Sequence, residues 1–173
     1  MKFELVCEEM DGLVLIDKSY LKDLDSLMLY AMDILLDSLG NSELVYDFPN
    51  EKWETVRLRE TKPIHEFCNS GKMIVWLLND VEQECEIKYE KEISNAVKWL
   101  HVPTGRLLAV SASELIQCLS YPELDMNTIF ELEVDAGWYA ISNKHIDKIM
   151  YSKKEPQKSH FENIEELYSK LMH

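Results

Sequence analysis

Strict alternation of charged and apolar residues is the feature that most constrains how this chain can fold. In VEQECEIKYE at 81–90, one parity holds four carboxylates and one ammonium, and the other parity is mainly apolar. The charged parity consists of Glu82, Glu84, Glu86, Lys88 and Glu90. Because successive side chains point to opposite faces of a strand, this stretch predicts a strand with one face in water and the other in a core.

The same period recurs near the end of the chain. In IFELEVD at 129–135, Glu131, Glu133 and Asp135 share one parity with Ile129, and Phe130, Leu132 and Val134 share the other. Further strands are expected at 3–7, 13–16, 53–59, 73–78, 96–102, 106–110 and 138–142. Hairpins therefore dominate the expected architecture, since short alternating strands separated by turn residues are typical of antiparallel sheets.

Two of these hairpins are expected to have tight turns. Asp11-Gly12 is a dipeptide suited to the turn of a hairpin between the first two strands. Asn79-Asp80 predicts a second hairpin, from the fully apolar strand MIVWLL into the acidic stretch that follows it. The apolar strand would then lie beside a strand with one acidic face.

Helices are predicted where the apolar period changes to three and four residues. The segment 21–39 shows this period, with Asp17 or Ser19 able to cap its start and Gly40 at its end. Shorter helices are expected from Pro63 to Gly71, after the capping box Ser111–Glu114, and after the capping box Ser159–Glu162. With about eight or nine strands and three or four helices, the chain is predicted to be a single α+β domain over 1–173, built on a mainly antiparallel sheet.

Net charge is the most unusual property of the composition. The chain has 32 acidic and 18 basic residues, which gives a formal charge of −14. This charge disfavours nucleic acid and anionic membranes as partners, and it favours a cationic protein. Excess negative charge can also simply keep a protein soluble.

The location of the protein is predicted to be cytoplasmic. The opening MKFELVCEEMDG lacks the basic and long apolar regions of a signal peptide, and no apolar stretch reaches the length of a membrane helix. The four cysteines are widely spaced, so they are expected to stay reduced.

Motifs for catalysis or cofactor binding are missing from the sequence. The five glycines are scattered, and no phosphate loop, zinc-protease, calcium-loop or serine-elbow motif occurs. His65 and Cys68 could meet on one helical turn, but a structural zinc would also need ligands such as Cys85 and His101 from other strands. We therefore expect no enzyme activity, no metal and no cofactor.

The four tryptophans divide into two groups. Trp76 and Trp99 lie within apolar strands and are expected in the core. Trp53 and Trp138 stand beside charged or turn residues, where an aromatic side chain can either anchor a partner or close the end of a core.

The chain resembles the bacterial immunity proteins of polymorphic and contact-dependent toxin systems. The resemblance lies in its size, acidity and α+β pattern, and in the stretch VPTGRLLAVSASELI followed by FELEV and GWY. It implies a small cytoplasmic inhibitor that blocks a nuclease toxin, often by occupying a basic active site. The alternative is a small accessory or regulatory domain whose acidity serves solubility only.

The acidic faces are the candidate binding surface for such a partner. Carboxylates would pair with the lysines and arginines that hold substrate phosphate, and an aromatic residue would anchor the contact. The residues expected to contact the partner are Glu82, Glu84, Glu86, Glu131, Glu133, Asp135 and Trp138. For each acidic row the other interpretation is an ordinary solvated face.

Overall fold

The computed structural model describes residues 1–6, 11–37, 55–78, 82–94, 98–122, 129–145, 148–161 and 163–171. The strands are β1 (Lys2–Val6), β2 (Asp11–Asp17), β3 (Met73–Leu78), β4 (Glu82–Tyr89), β5 (Lys98–Val102), β6 (Arg106–Ser111), β7 (Phe130–Glu133), β8 (Gly137–His145) and β9 (Lys148–Lys153). The α-helices are α1 (Ser26–Asp37), α2 (Thr55–Asn69), α3 (Ala112–Ser120) and α4 (Ile164–Leu171). Short 3-10 helices span Lys18–Asp23 and Lys158–His160.

The strands form two sheets. A five-stranded sheet has the order β1-β4-β9-β8-β5, and a four-stranded sheet has the order β3-β2-β6-β7. Neighbouring strands within each sheet are antiparallel, except that β4 and β9 run parallel. The prediction of an α+β fold on mainly antiparallel sheets is confirmed.

The two sheets pack face to face and enclose one hydrophobic core. The five-stranded sheet contributes Cys85, Ile87 and Leu100, and the four-stranded sheet contributes Leu13 and Trp76. Each fully buried side chain of this kind stabilises the fold by about 1.5 to 3 kcal/mol. Trp76 is therefore a core residue, as the sequence predicts, and so is Trp99, which is buried on the other face of the five-stranded sheet.

A helical layer covers the second face of the four-stranded sheet. There Val14, Ile16 and Val75 pack against α1, α2 and α3. The four-stranded sheet is thus the middle of three layers, which explains why its strands β2, β3 and β6 are mainly apolar on both parities. No helix within the described ranges is long and apolar enough to cross a membrane.

The predicted hairpin around Asp11-Gly12 is wrong. Both residues lie inside β2, and β1 belongs to the other sheet. The Asp11 carboxylate is buried and accepts hydrogen bonds from the Gly12 nitrogen (2.7 Å) and from the backbone nitrogen of Ser113 (2.9 Å) in the first turn of α3. A Cβ on Gly12 would lie 2.9 Å from the Trp76 carbonyl oxygen. Gly12 is therefore required by close packing against β3, and Asp11 binds the first turn of α3, so neither residue forms a hairpin turn.

The predicted hairpin from MIVWLL into the acidic strand is also wrong. β3 pairs with β2, whereas β4 pairs with β1 and β9 in the other sheet. The turn residues Asn79 and Asp80 lie outside the described residues. The physical reason is that β3 is buried on both faces and needs the middle layer, while the acidic face of β4 needs an outer layer that water can reach.

The predicted strand at 53–59 is helical over its described part. α2 begins at Thr55 and runs through Pro63, which was expected to open a shorter helix. Thr61, Ile64 and His65 are buried on one side of α2, so helical period rather than alternation decides this segment. Trp53, whose role the sequence left open, lies outside the described residues, as do Gly40 and Cys7.

Helix starts differ from the predicted ones in two places. Asp17 accepts a hydrogen bond from the Ser19 nitrogen (2.8 Å) and caps a 3-10 helix, while Asp25 accepts from the Met28 nitrogen (2.9 Å) at the start of α1. α4 begins at Ile164, and the Asn163 side chain accepts from the backbone of the first helical turn rather than Ser159. The Ser111 cap of α3 is confirmed.

Candidate functional site

The first acidic row lies on β4 and faces away from the core. Cys85 and Ile87 are buried between the sheets, while Glu84 is exposed and Glu86 is half-buried on the opposite face. The alternation predicted from the sequence is therefore confirmed for this strand. Glu82 pairs with Val6 through the backbone, and its side chain lies outside the described part of the chain.

Basic residues from neighbouring strands interrupt this row. The register places Lys2 of β1 and Lys148 of β9 on either side of Glu86. Lys88 forms an exposed ion pair with Glu90, with 3.4 Å between nitrogen and oxygen. Because directly opposed side chains on neighbouring strands are close, the β4 surface has mixed charge, with Lys2 and Lys148 beside Glu86 and a second carboxylate, Glu4, opposite Glu84.

The second acidic row lies on β7, at the edge of the four-stranded sheet. Glu131 and Glu133 are exposed, and Glu131 pairs with the Arg106 guanidinium. The hydrogen bond from Arg106 lowers the pKa of the Glu131 carboxyl, and the same contact raises the pKa of Arg106. Asp135 follows the strand and is also exposed.

The two acidic rows point in opposite directions. Glu131 is registered opposite Leu108, a residue of the helix-covered face of the middle sheet. Glu84 lies on the outer face of the other sheet, on the far side of the core between the sheets. Glu84 and Glu86 therefore do not share a face with Glu131.

Trp138 lies on the outer face of the five-stranded sheet, in an aromatic stack within the chain. Its ring is half-buried and stacks on His101, with 4.7 Å between ring centroids and 24° between planes. Phe161 meets it edge-on at 5.8 Å. Gly71, with a φ of +80°, has no Cβ to clash with the ring, whereas a Cβ there would lie 2.3 Å from it. These contacts hold Trp138 against the chain itself.

The possible metal ligands are dispersed. Cys85 is in the core between the sheets, whereas His101 lies half-buried on the outer face of the same sheet, where its Nδ1 is 2.6 Å from the Tyr20 hydroxyl. His65 and Cys68 do lie on one helix, and burial raises the pKa of the Cys68 thiol to about 12. The described ranges contain no group of three or more metal-binding side chains.

A cleft opens at one end of the space between the sheets. It encloses about 510 Å³ and is lined by described residues from β4, β8 and β9 and from the end of β7. The lining consists of Tyr89, Glu133, Val134, Asp135, Tyr139, Tyr151 and Lys153. Two of the predicted contact residues, Glu133 and Asp135, therefore line a cavity, and among its described lining residues there is no glutamate of β4.

Three tyrosine rings form the walls of this cleft. Tyr151 stands between the other two, with its centroid 5.4 Å from Tyr89 and 5.7 Å from Tyr139. The planes meet at 67° and 63°, so the rings make a corner rather than a flat stack. Tyr89 is 51% exposed and Tyr139 only 3%, which places Tyr89 at the mouth and Tyr139 at the base.

Tyr139 and Tyr151 are held in their neutral form by burial in the cleft. Burial, followed by the charges of Asp135 and of the neighbouring tyrosines, raises the pKa of Tyr139 to about 12. Its hydroxyl donates a hydrogen bond to the Asp135 carbonyl oxygen. Burial also raises the pKa of Tyr151. The cleft therefore combines two buried, uncharged tyrosine rings with the exposed acidic residues Glu133 and Asp135 in its lining.

Sequence reasoning did not single out the three tyrosines. Tyr89 falls on the apolar parity of β4, where alternation predicts only one more inward-facing residue. The signal that could have found it is an aromatic residue at the last inward position of a strand, where a core ends and a cavity can begin. Nothing local indicates that β8 and β9 bring Tyr139 and Tyr151 to the same place.

Comparisons with protein-family models, with curated proteins and with solved structures found no match for the chain. By its fold and its cleft, the chain is an acidic α+β protein with a cavity lined by tyrosines and acidic residues. A function has to be argued from that cavity and from charge.

Proposed function

We propose that this chain is a bacterial cytoplasmic immunity protein, a toxin inhibitor that acts by protein–protein interaction. Its partner would be a basic protein, and a nuclease toxin is the class that the resemblance implies. The observation that supports this proposal most is the cleft, where Glu133 and Asp135 stand beside exposed aromatic surface. A carboxylate next to an exposed ring offers both charge pairing and apolar contact to a cationic side chain.

Inhibition in this proposal needs no chemistry. A nuclease holds substrate phosphate with lysines and arginines, and carboxylates that occupy those residues exclude the nucleic acid. The net charge of −14 attracts a basic partner over a distance and raises the rate of encounter at low salt. Aromatic contact then slows dissociation, since buried aromatic residues dominate binding energy at such interfaces.

The carboxylates at the cleft are better suited to this role than those of β4. The β4 surface already carries Lys2, Lys88 and Lys148 among its carboxylates. A basic partner would meet these ammonium groups as well as the glutamates. On β7, Arg106 pairs with Glu131 and is registered opposite Glu133, so what distinguishes Glu133 and Asp135 from the β4 row is that they line the cavity beside exposed aromatic surface.

The proposal is tested by recovering the partner from the cells that encode the chain. The tagged protein should retain a basic protein at low salt and release it at high salt. The purified partner should degrade nucleic acid, and one equivalent of this chain should stop the degradation. Recovery of acidic or neutral partners only, or of a basic partner whose activity this chain leaves unchanged, would contradict the proposal.

A second candidate function is an accessory or regulatory domain whose acidity serves solubility. The mixed charge of the β4 surface favours it, because such a face is what solvation alone requires. A neighbouring gene for a toxin with a variable C-terminal domain favours inhibition. A neighbourhood of metabolic genes favours the accessory role.

A further inference from the structure

We propose that the cleft at the end of the two sheets binds the guanidinium group of an arginine side chain projecting from the partner. This inference rests on the proposed function, and it adds which residue type enters the protein and where. It is carried by the shape and composition of the cavity rather than by its carboxylates alone.

The aromatic walls provide the first argument. Tyr89, Tyr139 and Tyr151 meet at steep angles, so a group entering the corner contacts more than one ring. A cation over a tyrosine face is attracted by the negative charge of the π system, and Arg makes such contacts more often than Lys. The planar, weakly hydrated guanidinium also stacks on aromatic faces, which an ammonium does not do.

The rim provides the second argument. Glu133 and Asp135 are exposed residues of the cavity lining, and a carboxylate can accept hydrogen bonds from the five donors of a guanidinium. The cavity of about 510 Å³ has the size of a small-ligand site and has room for the end of one arginine side chain. Aromatic walls with carboxylates at their edge match that group in both charge and shape.

Lys153 also lines the cleft and opposes a cation there. Its side chain runs along the backbone at Gly137, since a Cβ on that glycine would lie 3.1 Å from the Lys153 Cε and 3.8 Å from its Nζ. The two carboxylates outnumber this ammonium. Lys153 therefore weakens the binding of arginine without abolishing it, and its removal should strengthen binding.

The experiment uses N-acetyl-arginine amide as the probe, with the whole chain labelled for NMR. We expect shifts of the backbone signals of Tyr89, Tyr139 and Tyr151, with a Kd on the order of 1 mM, as befits a small fragment. The matched probe is N-acetyl-citrulline amide, which has nearly the same shape and no charge. It should bind at least about fivefold more weakly, because it lacks the cation–π and ionic contacts.

Three variants sharpen the result. Tyr89→Leu should weaken binding of the arginine probe about three- to tenfold. Tyr121→Leu, a control at a tyrosine that is 58% exposed and outside the cleft lining, should leave it unchanged. Lys153→Gln should tighten it about two- to fivefold, as expected from removing one like charge near the surface.

The inference would be overturned if the citrulline probe bound as tightly as the arginine probe, or if the arginine-induced shifts were centred on Glu84 and Glu86 of β4 instead of on the three cleft tyrosines. The proposed function fails independently. If a basic nuclease is captured and inhibited but the arginine probe avoids the cleft, the inference alone is lost. If the probe enters the cleft as described and no basic partner exists, the inhibitor proposal alone is lost.

Discussion

The acidic strands β4 and β7 look alike in sequence and differ in what surrounds them. Both alternate carboxylates with apolar residues, and both place the apolar side against the core between the sheets. Around Glu86, neighbouring strands supply Lys2 and Lys148. Around Asp135, strands of the other sheet supply Tyr139 and Tyr151, and a cavity opens there. Alternation thus tells which face a carboxylate occupies, and only the sheet order tells what it stands beside.

The largest expected effect is on stability, and it tests whether Trp138 supports the fold rather than binding the partner. Trp138→Ala removes a ring that stacks on His101 and packs over Gly71, so we expect it to lower the free energy of unfolding by about 2 to 4 kcal/mol. Urea unfolding measures this change. Affinity for the captured partner, measured well below the melting temperature, should stay within about threefold of the parent, in line with a residue that supports the fold.

Trp138→Phe is the graded control for that experiment, because it keeps an aromatic ring against His101. It should cost less than half of the alanine change. A Trp138→Ala variant of unchanged stability that loses the partner would instead make Trp138 a contact residue, and would weaken the distinction drawn between the cleft and the rest of the surface.

The next effect tests the buried end of the cleft at high pH. The folded pKa of Tyr139 is about 12, whereas its ordinary value is 10.0. Between these values the unfolded chain has released the phenol proton and the folded chain has not, so stability falls as pH rises above about 10. The full stability is present below that pH, and the slope approaches about 1.4 kcal/mol per pH unit.

Tyr139→Phe should reduce this alkaline slope, measured by urea unfolding at pH 8, 10 and 11. A slope remains because burial also raises the pKa values of Tyr151 and Tyr20, and raises the pKa of the Cys68 thiol to about 12. At pH 8 the variant should lose about 0.5 to 1.5 kcal/mol, since the Asp135 carbonyl loses its hydrogen bond. An alkaline slope identical in the parent and the variant would show that Tyr139 is not the group that titrates.

The smallest effect concerns the exposed ion pair on β7. Glu131→Gln removes the partner of Arg106 in a region open to solvent, where screening leaves ion pairs little energy. The pKa of Glu131 is lowered in the folded chain, so its contribution is present above its ordinary pKa and is lost as pH falls. We expect thermal melts at pH 7 to be nearly unchanged. A large drop would mean that β7 depends on this contact.

The sequence predicted the face of each strand better than it predicted the neighbours. The apolar strand MIVWLL, the alternation of β4 and the Ser111 cap follow from local chemistry, and all three are present. The predictions of two tight hairpins are wrong because they place strands that are adjacent along the chain in one sheet. In the structure β1 and β2 belong to different sheets, and so do β3 and β4. A buried strand and an acid-faced strand are better served by different layers.

The candidate site shows the same limit. Glu133 and Asp135 were named from alternation, but so were Glu84 and Glu86, and the pattern does not distinguish them. The distinction depends on Tyr139 and Tyr151, which reach the cleft through the pairing of β8 with β9. Such long-range pairing depends on how whole layers cover one another, and no local window contains that information.

The central claim is tested most directly by two matched double variants in one binding titration with the captured partner. Glu133→Gln with Asp135→Asn, and Glu84→Gln with Glu86→Gln, each remove two negative charges, so the change in net charge is the same. We predict that the Glu133→Gln/Asp135→Asn variant raises the Kd about 30-fold or more, because losing contacts to paired charges costs about 2 kcal/mol or more. The Glu84→Gln/Glu86→Gln variant should change the Kd less than about threefold. Equal losses in both, or a larger loss from the β4 pair, would contradict it.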